Sequence, residues 1–217
     1  MKGLFLNNYY SAQDGLKISL LISALLVVLT LFVTDNVAAA AMGLIIFIFP
    51  TNNVSSLQAD ENSKWNKYEI TTPVSRFQII LSKYIYYLGT VILGFICSLA
   101  VVCIIFITGR KVEVSILLYP ILFGIALSLF MGAFLYPLLL KLGALKAELF
   151  TVISAILSVG IMFFIWFGVN KLLFVMDFKS IMMGSISCIL SLIFFTISFW
   201  ISYCIYQKRN FNSLSLF

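Results

Sequence analysis

Polar and apolar positions along this chain separate into long blocks rather than a short repeat. Six intervals carry no Asp, Glu, Lys or Arg: residues 18–34, 36–59, 84–109, 115–140, 149–170 and 180–207. A helix needs about 20 apolar residues to cross a hydrocarbon core of about 30 Å. The pattern therefore predicts six transmembrane helices, over about 18–34, 37–59, 84–109, 115–140, 149–170 and 180–206. They form a single transmembrane domain covering 1–217, and the expected fold class is an all-α membrane protein. Only Asp35 and Asn36 separate the first two blocks, which predicts a tight helical hairpin.

Composition narrows the function classes. Of the 217 residues, 62% are hydrophobic and 10% charged, and the mean hydropathy is +1.11. Ordinary soluble domains run at about 45–50% apolar and about 25% charged, so a soluble globule is excluded, and so is intrinsic disorder. The chain has no histidine, which removes Ser-His-Asp and Cys-His catalysis and histidine-ligated zinc. Cys97, Cys103, Cys188 and Cys204 fall inside apolar blocks without a C-x-x-C pair, and read as small hydrophobes. No carboxylate pair lies in the spans. No catalytic residue and no metal ligand is assigned.

The net charge of +6 reads as topology rather than as nucleic-acid affinity, because the charges sit between apolar blocks. With the N-terminus inside, Lys2, Lys17, Lys64, Lys67, Arg76, Lys83, Lys141, Lys146, Lys208 and Arg209 face the cytoplasm. Arg110, Lys111, Lys171 and Lys179 face out. Ten against four places both termini in the cytoplasm. Small residues recur four apart at Ala39/Gly43, Gly94/Ser98, Gly124/Ser128/Gly132, Ser154/Ser158 and Ser187/Ser191, spacings that let helices approach closely in lipid.

Two polar segments are candidate functional sites. The apolar run 37–49 is only about 20 Å of helix, too short to span. Pro50, Thr51, Asn52, Asn53, Ser55 and Ser56 then occupy the inner half of span two. Either this half-helix lines a translocation path or a permease interface, kinked at Pro50, or it lies wet at the membrane surface. The second segment is the inner loop 60–83, which carries seven charges: Asp60, Glu61, Lys64, Lys67, Glu69, Arg76 and Lys83. Asp60 to Glu69 has the makings of a short helix with an Asp60–Lys64 i,i+4 pair and with Trp65 and Tyr68 on one face. Pro73 breaks it, and Ser75 with Gln78 has the spacing of a capping box opening a new helix. The loop reads either as a helix presenting aromatics to a soluble partner, or as a solvated loop whose aromatics anchor in headgroups.

Six spans with both ends inside, an elongated first inner loop, and the runs Trp65-Asn66-Lys67-Tyr68, Thr72-Pro73-Val74-Ser75-Arg76 and Leu81-Ser82-Lys83-Tyr84 resemble ABC-2-type transporter permeases. The chain is similar in particular to the short six-span permeases of Gram-positive exporters of phenol-soluble-modulin-like peptides. The resemblance implies a type V exporter-like transmembrane domain in the plasma membrane of a Gram-positive bacterium. It implies that Asp60, Glu61, Lys64, Trp65, Lys67, Tyr68 and Glu69, with Pro73, Arg76 and Lys83 about the break, couple to an ABC ATPase. The segment 1–14 resembles the family's interfacial connecting helix. No G-x-x-x-x-G-K-[ST] occurs, so ATP and magnesium belong on a separate ATPase and none is expected on this chain. Six spans are half of the usual pathway, which implies a second permease copy, identical or related. The Phe-rich walls (Phe163, Phe164, Phe167) suit an amphipathic peptide or lipid-like cargo, and no nucleic acid. The competing readings are a substrate-binding subunit of an energy-coupling-factor importer and a non-transporting immunity or accessory protein.

Overall fold

The computed structural model describes residues 2–65, 74–110, 112–144, 146–172 and 180–208. It is helical, with elements α1 (Lys2–Leu29), α2 (Asp35–Thr51), α3 (Asn53–Asn62), α4 (Arg76–Ile107), α5 (Val114–Leu142), α6 (Ala147–Leu172) and α7 (Ile181–Lys208). Among the described residues, six stretches are long and apolar enough to cross a membrane: Gly3–Leu29, Asp35–Asn62, Arg76–Ile107, Val114–Leu142, Ala147–Lys171 and Ile181–Lys208. The expected all-α class stands.

The helices overrun the uncharged blocks at several ends. The first does not begin at residue 18; α1 is one unbroken helix from Lys2, so the segment expected as a separate connecting helix is its first half. A stripe of Leu4, Asn8, Ala12, Leu16, Ser19 and Ser23 is buried along it. Their spacings of three and four hold one helix face inward. Because that face mixes amides and hydroxyls with apolar groups, the segment looks poorly amphipathic while still packing. At its other end α1 stops at Leu29, and residues 30–34 form the turn of the expected hairpin.

The second span is α2 continuing into α3. Proline cannot donate a backbone bond and its ring crowds the preceding turn. After Pro50 the ladder tightens, with the Asn52 N–H donating to Phe49 O at 3.3 Å, before α-helix resumes. Pro120 and Pro137 lie inside α5.

α5 is the central helix. It packs most extensively on α7, and also against α2 and α6, while α2 leans on α4 and α1 lies across α4 and α3. The expected small-residue spacings sit at the crossings. A Cβ at Gly124 would stand 2.9 Å from the Gly43 backbone, and one at Gly94 would stand 3.0 Å from the Ile46 backbone. Ser98, Ser128, Ser154, Ser158, Ser187 and Ser191 are all buried, so close approach is general to the bundle. α6 keeps a broad apolar face outward, including Leu149, Val152, Ile156, Phe163, Phe164 and Phe167.

Candidate functional site

The polar run after Pro50 divides by face. Val37, Ala40, Leu44, Ile48, Thr51 and Ser55 make one outward stripe of exposed or half-buried positions along the second span. Thr51 and Ser55 satisfy themselves on that stripe, their hydroxyls donating to Ile48 O and Asn52 O, both at 2.6 Å. Asn52 faces α1: its amide donates to the Ser19 hydroxyl, and a Cβ at Gly15 would strike its side chain at 2.8 Å. Pro50, Asn53 and Ser56 turn into the bundle. Asn53 Nδ2 donates to Thr90 Oγ1 at 2.8 Å and to Pro50 O at 2.9 Å, tying the second span to α4. Pro50 and three of the five polar residues, Asn52, Asn53 and Ser56, therefore serve the packing of this chain, and Thr51 and Ser55 remain on the outward face.

The charged segment that follows divides the same way. α3 runs through Asp60 and ends at Asn62, with Lys64 beyond it at a φ of 56°, the left-handed turn that closes a helix. Asp60 and Glu61 are thus the last turn of the second span and not the opening of a separate loop helix. The expected Asp60–Lys64 pair does not form. Asp60 instead meets Lys83 on α4, Nζ to Oδ2 at 2.7 Å, with the two side chains only 2% and 4% exposed. Asn7 of α1 donates to the other Asp60 oxygen at 3.0 Å. A charge so buried is tolerable only when paired and hydrogen-bonded. Tyr136 of α5 closes the group by donating its hydroxyl to Lys83 O at 3.0 Å.

Glu61 makes a second tie, accepting the backbone N–H of Ala144 in the connection between α5 and α6. The adjoining Gly143 has a φ of 89° and lies close enough that a Cβ there would stand 2.9 Å from the Glu61 carboxylate. Arg76, at the first turn of α4, donates to Gln207 O near the end of α7 at 2.8 Å. Ser75 and Gln78 form the expected capping box, with both reciprocal bonds at 3.3 Å. Trp65 is half-buried and Lys64 exposed. Lys67, Tyr68, Glu69 and Pro73 lie outside the described residues.

Beyond this group runs a tyrosine–serine ladder that the sequence did not single out. Tyr84 Oη lies 2.8 Å from both Ser198 Oγ and Ser202 Oγ of α7, and its ring stacks on Tyr136 at 4.6 Å. Tyr87 donates to Ser128 O at 2.6 Å and Ser198 to Ala133 O at 2.6 Å, joining α4, α5 and α7. The serine spacing of α7 was its one available signal. At the opposite end, Arg110 donates to Val33 O at 2.9 Å and Leu31 O at 3.0 Å, and pairs with Asp35 at 3.3 Å. Its guanidinium fork seals the turn of the first hairpin.

The family model described as ABC-2 family transporter protein matches residues 3–208. The chain belongs to the ABC-2 transporter family. No curated protein and no solved structure matches it. This ABC-2 chain is a multi-pass membrane protein and a permease component of an ABC transporter, and membership implies an ABC ATPase partner. In this permease the ion-paired group joins the ends of the second span and of α4, the two elements that bracket residues 66–73, to the connection after α5.

Proposed function

We propose that this permease is the membrane half of an ATP-driven exporter of amphipathic or antimicrobial-type peptides, or of lipid-like molecules. It acts in the plasma membrane of a Gram-positive bacterium with both termini in the cytoplasm. The observation that carries the reading is the joint at Asp60 and Lys83. It ties the end of the second span to α4, the elements on either side of residues 66–73, and both to α1 and α5, so a push delivered between them is carried into the second span.

Docking then falls to Lys64, Trp65 and the stretch after them, while Asp60, Glu61 and Lys83 form the base that transmits the movement. The chain is not itself catalytic: ATP and magnesium are held by the partner ATPase. A second permease copy completes the path, with the outward faces of the second span (Thr51, Ser55) and of α6 (Phe163, Phe164, Phe167) as its walls. Those apolar walls with a few hydroxyls suit an amphipathic cargo better than a highly charged one.

The test is co-purification with the ATPase encoded beside it and reconstitution in nanodiscs. Trp65→Ala and Tyr68→Ala should each lower the ATPase stimulation several-fold while both proteins still insert. Unchanged stimulation in both variants overturns the coupling assignment. For the cargo, deletion of the permease should sensitise cells to amphipathic peptides, and wild-type sensitivity across a panel of them overturns that part.

A further inference from the structure

Three buried polar groups near the ion pair have no hydrogen-bond partner among the described residues: Asn8 Nδ2, Asn53 Oδ1 and the Tyr86 hydroxyl. Their residues are 4%, 2% and 5% exposed. All three line one small cavity, of about 10 Å³, together with Ser56 and Lys83. Three helices thus send polar side chains to one point: α1 with Asn8, α3 with Asn53 and Ser56, and α4 with Lys83 and Tyr86.

The orientation of Asn53 is fixed, because both bonds of its Nδ2, to Thr90 Oγ1 and Pro50 O, hold the amide one way round. Its Oδ1 is therefore an acceptor seeking a donor. Asn8 Nδ2 is a donor seeking an acceptor, and the Tyr86 hydroxyl can serve as either. Buried polar groups left unpaired are rare and costly in folded proteins, and a cavity of this size has room for about one water.

We infer that this cavity is a water site, in which one ordered water accepts from Asn8, donates to Asn53 Oδ1 and bonds the Tyr86 hydroxyl. The mix of partners selects water over an ion. A halide requires donors on every side and would meet the Asn53 oxygen. A metal cation requires oxygens and would meet the Lys83 ammonium, whose charge Asp60 already balances at 2.7 Å. A water satisfies donor and acceptor at once. It also places a polarisable neighbour beside a charge pair that the bundle otherwise encloses, and it bridges the second span to α1 and α4 where Asn7 and Asp60 already join them.

The sign of a stability change tests this, using the permease purified with its ATPase. Tyr86→Phe removes the hydroxyl and keeps the ring, including its edge contact with Phe5 at 5.5 Å. If a water bonds the hydroxyl, Tm falls by about 2 °C or more, as it should for the control Tyr87→Phe, whose hydroxyl donates directly to Ser128 O. If the cavity is dry, removing an unpaired buried hydroxyl leaves Tm unchanged or raises it, and the inference is overturned. A structure of the complex resolving other buried waters should show density within hydrogen-bond distance of Asn8, Asn53 and Tyr86. A blank cavity there overturns the assignment independently. Exchange of chloride for gluconate should leave the melting of the wild type unmoved; a Tm that tracks chloride replaces water with an anion.

Discussion

Asp60 and Lys83 hold each other where neither has bulk water to turn to, and that decides what substitution does. Removing one partner leaves a buried charge without compensation, which costs about 3–5 kcal/mol. Asp60→Asn and Lys83→Met should each lower the melting temperature of the purified permease steeply. The double variant Asp60→Leu with Lys83→Met should recover most of the loss, since two apolar groups of similar volume replace the pair without the desolvation cost. A double-mutant cycle by thermal melting checks this, and additive losses would mean that the two side chains do not act as a pair. This pairing was not legible in the sequence. Local spacing offered Lys64 to Asp60, and only the continuation of the second span through α3 carries Asp60 to Lys83, 23 positions away. The capping box of Ser75 and Gln78 was legible, because both of its bonds lie within four consecutive residues.

The elements pack on glycine and serine because lipid supplies no hydrophobic drive between helices, so close contact must supply the stability. Gly124→Ala puts a methyl group 2.9 Å from the Gly43 backbone, and the obstacle is main chain, which cannot swing aside as the end of a flexible side chain would. The α2–α5 crossing has to open, at about 1–3 kcal/mol. Gly89→Ala and Gly160→Ala, whose added carbons meet nothing within 4 Å, should be neutral or stabilising by up to about 1 kcal/mol through helix propensity. Thermal melting of the three variants side by side separates close approach from propensity. The six spans themselves were visible in the charge-free blocks because lipid exposure demands long uninterrupted apolar runs. Helix ends were not, since a helix can carry charges past the apolar run when they are paired, as Lys83 is, or exposed, as Asp14 and Lys17 are. The five polar residues after Pro50 were legible as a group. Their division into an inward and an outward face depends on the helical phase across the tightened turn at Asn52.

At the scale of the whole molecule, one end of the bundle is tied by side chains that span several elements. Glu61 joins the second span to the α5–α6 connection, and Arg76 joins α4 to the end of α7. Glu61→Ala should leave the protein folded and inserted while weakening ATPase stimulation several-fold, because the second span then moves without carrying the connection after α5. Glu61→Gln, which keeps an oxygen for the Ala144 N–H, should retain most of it. ATPase assays on the reconstituted complex decide the matter, and equal activities for wild type, alanine and glutamine variants would show that the tie transmits nothing.

The guanidinium of Arg110 also bears on how the chain is assembled during synthesis. The carbonyls to which it donates, of Val33 and Leu31, belong to a hairpin made 77 and 79 positions earlier, so that turn leaves the ribosome unsealed. It can be completed only when α4 has been threaded through the membrane in the direction that delivers Arg110 to the same side. A third helix inserted the wrong way round would leave the turn open, which makes the seal a checkpoint on orientation. Arg110→Ala should therefore raise the fraction of misoriented or degraded chains in cells more than it lowers the melting temperature of those that assemble. Cysteine-accessibility mapping of the turn, read alongside thermal melting, measures the two effects separately.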